Sequence, residues 1–241
     1  MYKKITHKIV EEHFDHPIAA ELKNKVDNTK PMGDKKSKSI NVYDLSPLSQ
    51  LEKDSINYWA QLSWRIRSLV ISITSGDEDI DLLKTRMASD IDNISTVFAQ
   101  YYDTDKVTTF TTLLNTLTLA LVDVITAIKA DKDTTDTMKA LTDATGAFAD
   151  FLESSNKSWP SKVVADILSQ VENLYIMQTI SRIKKEWATG VTAADDAYNI
   201  MVVKQDNGDP SFADIFSAGI EKCLENEIQT DFTNLDDYME T

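Results

Sequence analysis

The sequence predicts an all-α protein, an elongated up-and-down antiparallel bundle of about six to seven helices. Gly and Pro are scarce among the 241 residues, at 6 and 5, which argues against sandwiches, barrels and glycine-rich nucleotide loops. Apolar residues recur at three- and four-residue steps through most of the chain, the spacing of amphipathic helices. The segments between these runs are short, which favours antiparallel neighbours.

Two consecutive segments of the chain match two later segments at a constant offset of 54 residues. Phe110 falls on Val164 and Leu117 falls on Val171, and apolar positions in the preceding segments match as well. Because the offset holds across both segments, we predict an internal repeat of a helical hairpin within the bundle.

Local signals predict where the helices begin and end. Asp103 is the expected N-cap of the third helix, and Ser158 with Pro160 is expected to open the fifth. Gly76 is the expected end of the first helix and Gly190 that of the fifth. The predicted helices cover residues 47–76, 79–101, 104–129, 134–154, 160–187, 192–203 and 211–225.

The charge is distributed unevenly along the chain. The net charge is −14, yet residues 1–40 carry nine Lys against six acids. We divide the chain into a basic N-terminal arm with a short helix at 1–45, a helical bundle at 46–225 and an acidic tail at 226–241. The acidic balance disfavours nucleic acid as a partner of the body. A basic arm beside an acidic body suits docking onto a protein, either another copy or a larger assembly; a solvated arm is the alternative.

The sequence also bounds the compartment. Cys223 is the single cysteine, so the chain forms no internal disulfide, which favours a reducing compartment or a buried thiol. The first residues lack the pattern of a secretory signal. Asp123 interrupts the longest apolar run, so we expect no membrane span. The expected location is the cytoplasm or a virus particle.

The inventory of catalytic residue types is poor. All three histidines, His7, His13 and His16, lie in the arm, so the predicted bundle has none. A Ser-His-Asp or Cys-His arrangement therefore has no support from the body of the chain. We predict that the protein is not an enzyme and has no catalytic, cofactor-binding or metal-binding residues.

Polar and aromatic residues beside the predicted core allow one candidate ligand-binding cleft. A cleft lined by Trp64, Arg67 and Tyr175 is the place where a ligand would fit. One of Arg65 and Arg67 is expected to form an ion pair and the other to be solvated. Glu172 is expected to lie on the side of the fifth helix, outside the core.

Four stretches carry a resemblance to a known group of proteins, over residues 59–197: WAQLSWRIRSLVISI, TTLLNTL, FADFLESSNKSWP and RIKKEWATGVTAADDAY. The most specific piece joins Phe151, Leu152, Asn156, Trp159 and Pro160. In these features the chain resembles an uncharacterised group of bacterial, largely Bacillus-type, all-helical proteins, some of which carry a glycosyltransferase label.

The resemblance implies a histidine on each of three core helices in the relatives, often with a glutamate beside it. These positions fall on Leu62, Leu117 and Val171, all aliphatic in this chain, and the neighbouring Thr116 and Gln170 are not carboxylates. A metal role is therefore not carried over. Each aliphatic side chain is expected to bury apolar area worth about 1.5–3 kcal/mol.

These observations together favour a non-catalytic structural or interaction protein, a component of a larger assembly such as a virus particle. The alternative is a helical bundle that binds a small molecule or metal of unknown identity.

Overall fold

The computed structural model describes residues 47–203 and 209–223, and every regular element in these ranges is a helix. The predicted all-α helical bundle is confirmed. The basic arm at 1–45 and the acidic tail at 226–241 lie outside the described residues. The helices are α1 (Pro47–Ser75), α2 (Ile80–Phe98), α3 (Thr104–Lys129), α4 (Thr135–Ser155), α5 (Ser161–Ile183), α6 (Trp187–Val202) and α7 (212–223).

Contacts at one end of the bundle establish the up-and-down order of the first five helices. Lys129, the last residue of α3, donates from Nζ to the Thr74 carbonyl at 2.6 Å. Arg182, near the end of α5, donates from Nε to Thr74 Oγ1 at 2.9 Å. The C-terminal ends of α1, α3 and α5 therefore meet, and α2 and α4 return between them, as expected for short connections.

Positions related by the offset of 54 residues are buried alike. Phe110 and Val164 are both 0% exposed, and Leu117 and Val171 are 5% and 6% exposed. The pairs lie on α3 and α5, which point the same way along the bundle. The duplication itself stays a prediction.

Two predicted boundaries are confirmed in detail. Asp103 accepts a hydrogen bond from the Lys106 amide at 2.9 Å and so caps α3. Gly76 follows α1 with φ at 81°, and its amide bonds to the Ser72 carbonyl at 2.8 Å. A left-handed residue after a helix is favourable for glycine, which carries no Cβ.

The end of α2 differs slightly from the prediction. The helix ends at Phe98 rather than at Tyr101. The amide of Tyr101 bonds to the Phe98 carbonyl at 3.1 Å, three residues back, so the chain tightens into a turn there.

The start of α5 lies one residue after the predicted one, and the predicted N-cap, Ser158, is wrong. Pro160 has ψ at 124° and precedes the helix, which begins at Ser161. Ser158 does not cap it; its amide instead donates to Asn156 Oδ1 at 2.9 Å. Asn156 Nδ2 donates to the Gly219 carbonyl at 2.6 Å, so this side chain ties the turn to α7.

The predicted end of α5 at Gly190 is also wrong. The helix ends at Ile183, and the break is at Lys185, whose φ is 63°. Gly190 lies inside α6, which begins at Trp187 rather than at residue 192. A Cβ at Gly190 would lie 3.4 Å from the Ser181 Cβ, so this glycine serves the close packing of α6 on α5.

An aromatic cluster joins α7 to the rest of the core. Trp159 is 1% exposed, stacks on Phe216 at 5.5 Å between ring centroids and donates from Nε1 to the Ile215 carbonyl at 3.0 Å. Phe98 stacks on Phe110 at 4.5 Å on the other side of the cluster. The predicted seventh helix therefore completes the core.

Helix α3 has the length and apolar composition of a membrane span, the one described helix that meets this test. Core helices of soluble proteins have the same length and composition. The finding therefore neither supports nor contradicts the prediction that the chain has no membrane span.

Candidate functional site

A cavity of about 40 Å³ lies inside the bundle between α1, α3, α5 and α6. This is the volume open to a water-sized sphere, of which one water needs about 10–15 Å³, so a group of only a few atoms fits without rearrangement. The walls are mostly aliphatic and aromatic. Five lining residues bear polar groups: Trp59, Ser63, Thr118, Glu172 and Tyr175.

The three positions singled out by the resemblance meet at this cavity. Leu62 on α1, Leu117 on α3 and Val171 on α5 all line it, with exposures of 2%, 5% and 6%. They act here as apolar wall, as their side chains predict. Across the described ranges, no group of three or more His, Cys, Asp or Glu side chains is placed to hold a metal ion.

Glu172 is the residue that sequence reasoning placed wrongly. It is 8% exposed and lines the cavity instead of lying on the side of α5. Burial raises the pKa of its carboxyl group to about 7, against a smaller lowering from the Thr145 hydrogen bond. The carboxyl group therefore changes charge near neutral pH.

The Thr145 hydroxyl group has two acceptors within hydrogen-bonding distance, one of which is Glu172. Thr145 Oγ1 lies 2.9 Å from the Leu141 carbonyl and 2.7 Å from Glu172 Oε1. A hydroxyl group has one hydrogen to donate. When Thr145 donates it to Glu172, the bond stabilises the carboxylate, which is the lowering of the pKa that opposes the effect of burial.

Tyr175 also lies in the cavity and not in the expected cleft with Trp64 and Arg67. Its hydroxyl group lies 2.6 Å from Ser63 Oγ and donates to the Ser63 carbonyl at 3.0 Å. Burial raises the pKa of Tyr175 to about 12, while the Ser63 hydrogen bond and the Arg67 charge oppose the rise. This phenol therefore stays neutral.

The remaining members of the expected cleft lie on the surface between α1 and α6. Trp64 is 51% exposed, and the Arg67 guanidinium carbon lies 5.1 Å from the centre of its ring. Tyr198 of α6 packs against Trp64 with 5.6 Å between ring centroids. Arg67 Nη1 also donates to Asp195 Oδ1 at 2.7 Å, which fixes the guanidinium group across the two helices.

The same surface continues to the start of α6. Trp187 is 56% exposed, and the Arg182 guanidinium carbon lies 5.6 Å from its ring centre. Val191, 50% exposed, follows one turn later on the same side of α6. We call the following residues the α1–α6 face: Trp64, Arg67, Trp187, Val191 and Tyr198.

Both arginines that follow Trp59 on α1 form ion pairs, so the expectation that one is solvated is wrong. Arg65 Nε lies 2.9 Å from Asp90 Oδ2, and the Asp90 side chain is 8% exposed. This partly buried pair joins α1 to α2, whereas the Arg67 pair joins α1 to α6.

Comparison of the chain with protein-family models, with curated proteins and with solved structures gives no match. The fold and the two candidate sites therefore rest on the chain itself, and the resemblance to the bacterial group stays a prediction.

Proposed function

We propose that the protein is a non-catalytic interaction protein that binds a protein partner through the α1–α6 face. The observation that supports it is the exposure of Trp64 and Trp187, 51% and 56%, on one surface with an arginine over each ring. Trp, Tyr and Arg dominate the binding energy of protein interfaces, and exposed tryptophans are costly to leave in water.

The two arginines that lie over the exposed tryptophans are held in place before a partner arrives. Arg67 bonds to Asp195 at 2.7 Å and Arg182 to Thr74 at 2.9 Å. Both tryptophans stand on helices rather than on long loops. Rigid side chains lose little conformational freedom on binding, so more of the contact energy remains as affinity.

The chemistry of the cavity supports a role without catalysis. It has one carboxyl group, and the hydroxyl groups of Ser63 and Tyr175 bond to each other at 2.6 Å.

The proposed setting is a larger assembly, a virus particle being one example. The basic arm at 1–45 would supply a second contact there, which rests on its charge alone.

The test is to substitute both tryptophans in the full chain, expressed in its native source. Trp64→Ala with Trp187→Ala is expected to shift the protein from a larger complex to the free bundle in gel filtration with light scattering. We expect a loss of affinity of at least 30-fold, since the loss of even one interface tryptophan costs about 2 kcal/mol or more.

The matched control replaces two exposed apolar residues on other helices, Leu82→Ala and Leu119→Ala, which are 62% and 44% exposed. This pair is expected to leave the complex intact. A protein that is strictly monomeric in its source, or a complex equally sensitive to both double variants, would contradict the proposal.

A further inference from the structure

The surface of the cavity between α1, α3, α5 and α6 is almost wholly apolar. Every lining residue is buried, and the most exposed of them, Glu172, is 8% exposed. Voids larger than a water molecule are few in a protein core, because the side chains around a void lack contact partners on one side. A molecule of matching size and surface would restore those contacts.

The polar groups of the lining residues bond to other protein atoms. Ser63 Oγ and the Tyr175 hydroxyl group lie 2.6 Å apart. Thr118 Oγ1 donates at 3.0 Å to the backbone carbonyl four residues earlier in α3. Glu172 Oε1 bonds to Thr145 on α4, which does not line the cavity. These groups therefore offer almost nothing to a polar ligand.

Water is a poor occupant of this space. Trp59 Nε1 is the one side-chain polar atom of the lining that is buried without a hydrogen-bond partner in the described part of the chain. A buried water needs about two to four polar partners, and a single donor does not supply them. An apolar molecule has no hydrogen bonds to lose on entering the cavity, so the site favours it over water.

We propose that the cavity is a binding site for a small uncharged apolar molecule, a short hydrocarbon or an apolar gas. One water needs about 10–15 Å³ of the volume open to a water-sized sphere, so the cavity of about 40 Å³ takes about three or four non-hydrogen atoms. Leu62, Leu117, Val171 and Met201 supply apolar surface to such a ligand from four helices. The site lies inside the bundle and is separate from the α1–α6 face.

Propane and ethanol separate an apolar site from one that takes any small molecule. Both have three non-hydrogen atoms, but ethanol carries a hydroxyl group to which the wall presents almost no polar surface. The best very small ligands gain a limited free energy per atom, which places the Kd of propane at about 0.5 mM or above. Ethanol is expected to bind at least about tenfold more weakly, because its hydroxyl group loses its hydrogen bonds to water.

The experiment follows the Met201 methyl group by NMR in the full chain labelled with ¹³C-methyl methionine. Its signal is assigned with Met201→Leu. Propane dissolved under pressure is the probe, and ethanol is the polar comparator. Wild type is expected to show a saturable shift of the Met201 signal with propane and a weaker one with ethanol at the same concentration.

Three variants show whether the ligand occupies the cavity. Leu117→Phe fills the cavity with three further carbon atoms and is expected to weaken propane binding at least about tenfold. Val171→Ile adds one methyl group to the wall, a smaller change that is expected to weaken binding about fourfold. Leu119→Phe, at a position of α3 that is 44% exposed, is the matched control and is expected to bind propane as wild type does.

Three results would overturn the proposal. One is the lack of a saturable propane shift up to about 10 mM, well above the expected Kd. Another is ethanol binding as tightly as propane. The third is a Val171→Ile or Leu117→Phe variant that is folded and binds propane with the wild-type Kd.

Discussion

Gly219→Ala is expected to detach α7 from the bundle and to lower the free energy of unfolding by more than about 3 kcal/mol. A Cβ at residue 219 would overlap the Trp159 indole at Nε1 and Cε2, and would lie 2.7 Å from Cδ1. The indole has no room to withdraw, because it is 1% exposed, stacks on Phe216 and bonds to the Ile215 carbonyl. The helix must therefore move instead.

Chemical denaturation measures the loss of stability, and hydrogen exchange locates it. Amides of α7 are expected to exchange faster in Gly219→Ala, while those of α3 keep their protection relative to the global stability. If the free energy of unfolding of Gly219→Ala were within about 0.5 kcal/mol of the wild-type value, α7 would not pack on Trp159 in this way.

Gly146→Ala is the matched control for this substitution. Gly146 lies inside α4, and a Cβ there would meet nothing within 4 Å. Alanine is the better helix former by about 0.5–1 kcal/mol, so this variant is expected to be more stable than wild type. The opposite signs of the two substitutions separate steric conflict from the general effect of replacing a helical glycine.

Helix boundaries were predictable where residues close in sequence determine them. The Asp103 side chain caps α3 through a bond three residues away, and Gly76 ends α1 through its own backbone conformation. Interactions of this range are encoded in adjacent residues, so a single sequence is enough to infer them.

The α5–α6 boundary was not predictable because its signals are tertiary. The break between the helices is at Lys185, which adopts a left-handed conformation. Lysine rarely adopts this conformation, so its presence in the sequence does not predict a turn. Gly190 carries the usual signal of a helix end, yet it is buried against Ser181 of the neighbouring helix. Only the packing of the two helices tells these roles apart.

The apolar lining of the cavity was predictable from the sequence, but the positions of Glu172 and Tyr175 were not. Leu62, Leu117 and Val171 were expected inside the core, and they do line one space. Glu172 was missed because α5 packs against α1, α3, α4 and α6, so its buried arc is wider than one apolar stripe. Tyr175 lies on the inner side of the same arc, which separates it from Trp64 on the surface. The signal available in the sequence was that polar and apolar residues alternate around all sides of α5 instead of dividing into two faces.

Glu172→Gln is expected to make the protein more stable than wild type at pH 8, by up to about 3 kcal/mol. The carboxyl group has an ordinary pKa of 4.5 in the unfolded chain and about 7 in the fold. Holding a charge there at pH 8 costs the free energy that corresponds to this difference. The amide stays uncharged and can still form a hydrogen bond with Thr145.

The sign of the pH dependence follows from proton uptake. Between pH 4.5 and pH 7 the folded chain holds a proton on Glu172 that the unfolded chain has lost. The stabilising effect of the protonated group is therefore complete below pH 4.5 and is lost as the pH rises through 7. Glu172→Gln is expected to match wild type near pH 4.5 and to exceed it progressively toward pH 8.

Urea denaturation of both proteins at half-unit steps from pH 4.5 to pH 8 measures this difference. The many surface carboxylates contribute equally to both curves, so the difference between them isolates Glu172. Glu52→Gln, at an exposed position on α1, serves as the control and is expected to stay within about 0.5 kcal/mol of wild type throughout. A difference that is flat with pH, or that favours wild type at pH 8, would mean that this carboxyl group is hydrated or paired with a cation in the folded protein.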